Sequence, residues 1–473
     1  LDTLTITGIL ITLAAAFAWI NHKLLKLPTT IGLMVLALIH AGLILGLKLL
    51  KPDWAAPAVE LVASIDFNRT VMHGMLGYLL FAGAMHVDLG KLKAQTPIIA
   101  LLASIGVLIT TGMVGGAAYG VTQLLGFDIP FLYCLIFGSL TAPTDPIAVL
   151  AIMKKVGASK TIETQLAGES LFNDGVGVVV FLALMSIAGL NTHGPTSGSV
   201  HTDAHGETSI AAHHEPHTTL ENHDDTLSAV PEIESDWTDQ AESIGQLFAM
   251  EAGGGIALGL VIGLVMLVLL RFIDDYKTEV LITLAGVSGG YALATALHFS
   301  GPLAMVIAGL MIGNTGRTLA MSKKTTEHLD TFWELIDEIL NAVLFVLIGL
   351  EVLVLSLDGK TLLAGAIMIP LTLLARFVTV GGAVQLLKPF FKPGPGTIRV
   401  LTWAGLRGGI SIALALSLKA ALPTEHSATG DLLLTMTYVV VAFSIVGQGL
   451  TVAPLIHGLG LSGDLSKSSA GSH

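Results

Sequence analysis

The feature that most constrains this chain is a succession of apolar runs, from 16 to 30 residues long, separated by short charged connections. The hydrocarbon core of a bilayer is crossed by about 20 apolar residues as a helix, whereas a barrel strand needs only about ten. Lipid offers the backbone no hydrogen-bond partners, so runs of this length close their own ladders as helices. Thirteen spans are predicted, at 4–20, 27–47, 71–87, 96–122, 129–153, 161–190, 244–272, 278–298, 301–316, 329–356, 361–387, 398–420 and 431–457. The expected fold class is an all-α polytopic membrane protein. Charged residues make up 12% of the chain, half of the roughly 25% usual in soluble domains, which argues the same way.

The connections carry an orientation signal. With the first loop (Lys23, Lys26) in the cytoplasm, alternate loops on that side hold sixteen basic residues and the opposite side holds five. The positive-inside rule then puts the N-terminus outside and the C-terminus inside. Arg376 and Arg407 are left over, inside spans. The net charge of −12 is local, because residues 191–243 carry eleven Asp or Glu and no Lys or Arg. That stretch also has seven histidines, and it reads either as a solvated acidic linker or as a metal- or pH-responsive loop. A lone cysteine, Cys134, excludes an intrachain disulfide. The chain begins with Leu1, so residues upstream are expected; its first apolar run lacks a basic lead and a clear cleavage site, and reads as a span.

Chemistry concentrates at 141–177. The stretch Thr141-Ala142-Pro143-Thr144-Asp145-Pro146 cannot be continuous helix, since two prolines remove backbone donors and crowd the preceding turns. A break at membrane depth is tolerated only when packed in protein or lining a watery cavity. The following span carries Glu169, Ser170, Asn173, Asp174 and Gly177 within an arc of roughly 140°, one polar stripe on an otherwise apolar helix. Carboxylates, hydroxyls and freed carbonyls are oxygen ligands for a hard cation or a proton. Intramembrane ionisable groups are costly and mark function by default; the competing reading is a hydrogen-bond network that only fixes packing.

A second break is predicted in span 398–420, where Gly405-Leu406-Arg407-Gly408-Gly409 places three glycines around an arginine. The breaks fall in the fifth and twelfth spans. An odd offset of seven spans gives the two halves opposite orientation, and paired interrupted helices in inverted halves point to a transporter's substrate site. On the tenth span Glu334, Asp337, Glu338 and Asn341 form another stripe. It reads either as acids favoured at a helix N-terminus or as a funnel that concentrates cations.

The pairing of the 141–146 stretch with Gly168-Glu169-Ser170-Leu171-Phe172-Asn173-Asp174-Gly175-Val176-Gly177 resembles the sodium/proton antiporters of the first monovalent cation:proton antiporter family, the bacterial NhaP type and its eukaryotic exchanger relatives. Phe332-Trp333-Glu334 leading to Asn341 and Phe345-Val346-Leu347-Ile348-Gly349, then Leu374-Ala375-Arg376 and Gly405-Leu406-Arg407-Gly408, follow in the same order. The likeness covers about residues 4–457 and leaves out the acidic loop. It implies thirteen spans with inverted repeats and two broken crossing helices (129–153 and 398–420). It divides the chain into dimerisation-side helices (1–95 and 278–356), core helices (96–190 and 361–457), a linker helix (244–272), the loop 191–243 and a cytoplasmic tail (458–473).

The resemblance also implies roles. Asp174 corresponds to the aspartate that takes cation or proton in turn, with Glu169 and Ser170 beside the ion and Thr144 as the broken-helix ligand; Asp174, Ser170 and Thr144 are the expected sodium ligands. Asn173 precedes the aspartate as in electroneutral members. Arg376 corresponds to an arginine pairing with the glutamate and the asparagine, and Asp145 and Arg407 offset exposed backbone dipoles, with Thr141 in support. The expected activity is Na+ (or Li+) exchange for H+, one for one, by a homodimer in the inner membrane. Its partners would be monovalent cations, protons and lipid, with no nucleic acid and no cofactor beyond the transported ions. K+/H+ exchange on the same fold is the alternative, because selectivity rests on sub-ångström cavity size. A channel, an organic-anion symporter and an intramembrane hydrolase are the rival classes; the acidic site opposes the symporter, and no metal-ligand pair or nucleophile–base arrangement within the spans supports a hydrolase.

Overall fold

The computed structural model describes residues 3–190, 237–389, 394 and 396–461. The acidic segment singled out above lies almost wholly outside the described residues. Apart from one isolated antiparallel bridge, all regular structure among the described residues is helical. Among the described residues, eight helices are long and apolar enough to cross a membrane, and two shorter apolar ones, Phe131–Thr141 and Gly409–Ala421, belong to the broken pair. The chain is thus an integral, multi-pass membrane protein.

Most predicted spans appear within a few residues of their expected limits. Three differences have local causes. Pro52, a favoured first residue of a helix, starts a short helix, Pro52–Ala63, where a loop was expected. The fourth span begins early, at Leu89, because Asp88 caps it by accepting from the Gly90 and Lys91 amides, and it breaks at Ser104 into Leu89–Ala103 and Ile105–Leu124. Outside the spans, the Lys91 ammonium and these amides hold the Asp88 carboxyl below its ordinary range. The seventh helix starts at Trp237, inside the stretch read as linker.

The helices pack in two groups. In one, Ile105–Leu124 packs on Phe131–Thr141 and on Gly359–Leu387; Gly409–Ala421 and Gly359–Leu387 pack on Ser427–Phe443. In the other, Lys323–Glu351 packs on Thr3–Ile20, Thr29–Leu50, Leu76–Met85 and Tyr276–Ala296. Helix Trp237–Arg271 lies against Gly301–Met311 and Tyr276–Ala296 of the second group and against Lys160–Ile187 of the first. Lys160–Ile187 also meets Leu89–Ala103 and Phe131–Thr141, so the polar stripe is enclosed by both groups.

Both expected breaks are present. The fifth span divides into Phe131–Thr141 and Ile147–Val156, and the twelfth into Thr397–Trp403 and Gly409–Ala421. Their extended middles run antiparallel and touch, with the Asp145 amide donating to the Leu406 carbonyl at 2.8 Å. Four half-helix ends therefore meet in the protein interior, and their unpaired backbone groups set the chemistry there.

Candidate functional site

Two C-terminal half-helix ends present carbonyls, and each finds a donor. Arg407, on the other broken span, donates through Nη1 to the carbonyls of Ala142 (2.5 Å) and Pro143 (3.0 Å), just past Phe131–Thr141. A cation at a helix C-terminus satisfies both the orphan carbonyls and the dipole. The Trp403 carbonyl receives the Gln448 amide at 2.9 Å. Gln448 accepts from Ser444 Oγ at 2.6 Å, and Ser444 Oγ in turn accepts the Arg407 amide at 2.9 Å. The sequence reading did not single out Ser444 and Gln448. An i, i+4 polar pair in an apolar run was the available signal, by the rule already applied to the stripe.

At the N-terminal half-helix ends the sign reverses. Asp145 Oδ1 accepts the Ile147 amide at 2.9 Å, so the carboxylate caps Ile147–Val156 and lies against Gly408, the cap residue of Gly409–Ala421. Asp145 thus lies at both N-terminal ends and Arg407 answers one C-terminal end, the physical basis for charges at the two breaks, while the neutral Gln448 amide answers the other.

The glycines of this segment make room for charge. A Cβ on Gly408 would overlap the Asp145 carboxylate, and one on Gly405 would lie 2.7 Å from Nε of Arg376. Arg376 has no freedom to retreat. It forms a bidentate pair with Glu169, through Nη1 to Oε1 and through Nη2 to Oε2 at 2.8 Å, and Nη2 also reaches the Leu401 carbonyl at 3.3 Å. Gly405→Ala is therefore expected to overpack the pair and cost about 1–3 kcal/mol. Thermal denaturation checks this against Gly116→Ala, where a Cβ meets nothing within 4 Å.

The stripe residues divide the work. Glu169, 1% exposed, is neutralised by Arg376. The resemblance also implied an asparagine partner for Arg376. Asn173 instead spends its amide on Thr144, with Nδ2 donating to Oγ1 at 2.9 Å and Oδ1 accepting the Thr144 amide at 3.3 Å. Thr144 Oγ1 and Ser170 Oγ share a hydrogen bond of 2.9 Å. Asn173 is a clamp holding the broken strand on the stripe. Thr141 turns away, donating back to the Phe137 and Gly138 carbonyls of its own helix at 2.9 and 3.1 Å, and makes no described bond within the cluster.

Asp174 differs from its neighbours. It is 7% exposed, and among the described residues nothing donates to its carboxylate. It lies fourteen residues into Lys160–Ile187, so about 21 Å from that helix's start. It lines a cavity of about 510 Å³ together with Thr144, Asp145, Glu334, Asp337 and Glu338. Lys154 and His86 line the cavity as well. Beyond Asp174 along its helix, Phe181 belongs with Phe137 and Phe345 to one apolar cluster, and all three are fully buried. Asp174 is thus the stripe carboxylate that has no partner among the described residues and borders the cavity near the Thr144 and Ser170 hydroxyls.

Comparisons with known proteins agree with this architecture. The family described as "Sodium/hydrogen exchanger, transmembrane" matches residues 10–458. The Na(+)/H(+) antiporter NhaP of Pseudomonas aeruginosa is 42% identical over 470 residues, spanning 98% of this chain and 99% of that protein. The Na(+)/H(+) antiporter NhaH of Halobacillus dabanensis is 32% identical over 446 residues, spanning 93% of this chain and 94% of that protein. Among solved structures, the sodium proton antiporter MjNhaP1 from Methanocaldococcus jannaschii at pH 8 superimposes with a TM-score of 0.66 at 18% identity, over 96% of this chain and 97% of that one, so the fold is shared. With the family match spanning nearly the whole chain and both broken helices in place, the protein belongs to the transmembrane sodium/hydrogen exchanger family, NhaP type.

Proposed function

We propose that this protein is a secondary transporter exchanging Na+, or Li+, for H+ by alternating access, one for one. One observation carries this reading. Of the two carboxylates on the polar stripe, Glu169 is held by Arg376, and Asp174 stands beside a cavity with no partner among the described residues. A single carboxylate then takes either a proton or a partly dehydrated cation, never both.

In the cycle, deprotonated Asp174 binds the cation with the hydroxyls of Ser170 and Thr144, which the 2.9 Å bond between them holds side by side. The core helices (96–190 and 361–457) then move against the dimerisation-side helices (1–95 and 278–356), the ion leaves on the far side, and Asp174 returns protonated. An empty, charged carboxylate does not cross, because burying an uncompensated charge costs several kcal/mol or more, and this enforces exchange. With the C-terminus and Lys154 in the cytoplasm, the cavity opens inward and the Phe137–Phe181–Phe345 cluster seals the outward side. The relatives' names support the ions, and the basic loops support an N-terminus outside. We place the protein as a homodimer in the inner membrane.

Everted vesicles with an acid interior test this reading. Adding Na+ or Li+ is expected to collapse the gradient. Collapse with K+ alone would keep the mechanism and change the substrate, and no response to any cation would sink the proposal. The stoichiometry has its own test. Asn173 carries no charge and Glu169 is tied up, so one charge moves each way. Imposing a membrane potential with valinomycin is expected to leave the exchange rate unchanged; a rate that follows voltage would overturn the one-for-one assignment.

A further inference from the structure

One part of the cavity is not used by this cycle. On helix Lys323–Glu351, Glu334, Asp337, Glu338 and Asn341 line the wall shared with Asp174. The stripe runs from Glu334 to Asn341, seven helical steps or about 10 Å along the axis. Its inner end lies beside the breaks, since Leu344, one turn further on, fills the space over Gly409. Acids at a helix entrance are ordinary; the amide above them is not. Asn341 is 2% exposed, lines the cavity, and has neither its oxygen nor its nitrogen within normal hydrogen-bond geometry of any described residue. Asp337 on the preceding turn is a polar neighbour, yet a buried amide whose oxygen and nitrogen both lack a bond of normal geometry among the described residues calls for an occupant of the cavity. Its oxygen is a neutral ligand suited to a hard cation, and Asp337, one turn towards the mouth, supplies charge on the same face.

We propose that Asp337 and Asn341 form a second, weaker monovalent-cation site, a staging post on the dimerisation-side wall from which ions pass to Asp174. This inference rests on the exchange reading above. Glu334 and Glu338 draw cations to the mouth, and Lys154, on half-helix Ile147–Val156, is a cation that lines the same cavity. The neutral amide keeps the site weak, so an ion held there can leave. It needs no movement between core and dimerisation-side helices to fill.

Binding and transport test the site separately. Radioactive sodium binding to the full-length purified protein is measured at alkaline pH in the Asp174→Asn background, where the main site is removed. A weak class of bound sodium is expected to persist there and to disappear when Asn341→Leu is added. In the otherwise native protein at low ionic strength, Asn341→Leu and Asp337→Asn are each expected to raise the apparent KM for sodium about tenfold, with the maximal rate within twofold. Asp337 is partly exposed, so its variant folds even where the Asn341 variant does not. No sodium bound in the Asp174→Asn background, or an unchanged KM in Asp337→Asn, would overturn the staging site and mean that water alone satisfies the amide. Native protein that exchanged no cation would instead defeat the exchange reading, so the two failures are distinct.

Discussion

Replacing Asp174 by Asn is expected to abolish cation-dependent proton movement while leaving the protein folded. The exchanged side chain is nearly isosteric, and no described protein group donates to the carboxylate it replaces, so no hydrogen bond is broken. What is lost is charge. A unit charge about 4 Å from a monovalent ion is worth about 4 kcal/mol at an effective dielectric of 20, which is about a thousandfold in binding. The same substitution removes the proton carrier, so neither half of the cycle survives. Gradient collapse in everted vesicles reads the loss. The apparent melting temperature should stay the same or rise, since one buried charge has gone. Exchange at the native rate would show that another group carries the ion. A corollary concerns pH: if one carboxylate serves both ions, lowering the pH should raise the apparent KM for sodium by competition, with the maximal rate preserved at saturating sodium.

Arg376→Ala is expected to have the second largest effect, on stability first and transport second. The guanidinium makes both bonds to Glu169, and both side chains are buried. Removing one member of a buried ion pair costs about 3–5 kcal/mol, because the other is left charged and unpaired. It also unties Leu401 from the Gly359–Leu387 helix. A paired substitution distinguishes structure from function. Glu169→Gln with Arg376→Met removes both charges and is expected to regain much of the lost thermal stability, since a buried pair is often replaceable by uncharged residues. If the pair is only structural, exchange returns with stability. If Glu169 shapes the ion site beside Ser170, exchange stays low. A single Arg376→Ala variant with native melting temperature and native exchange would remove the pair from the mechanism.

The two effects differ for a reason visible in the site. Asp174 faces a cavity and no described residue holds it, so its loss is felt by the ion. Glu169 and Arg376 face each other, so their loss is felt by the fold. The substitution Gly405→Ala acts on the same pair by steric means and should resemble a mild form of Arg376→Ala, which gives an independent check on which contact matters.

Much of this was legible along the chain. Apolar runs specify helices in lipid because the backbone has no other partners there, and the described helices follow those runs. Pro143 and Pro146 force one break, and the glycines around Arg407 permit the other. The polar stripe on Lys160–Ile187 follows from helical period alone. What period and composition left open was the difference between carboxylates, since Glu169 and Asp174 look alike on a helical wheel. Their fates are decided by Arg376, 207 residues away in sequence from Glu169. Likewise, Arg407 reaches the Ala142 carbonyl across 265 residues. These contacts join opposite halves of the molecule, and local pattern carries no information about which distant side chain arrives. The sequence by itself therefore determined where helices cross, where they break and which face is polar, because those depend on neighbours within a turn or two. Beyond what the family resemblance implied for Arg376 and its glutamate, only the tertiary structure decided which asparagine is a clamp and which is left facing the cavity, because burial and charge compensation belong to groups brought together by packing.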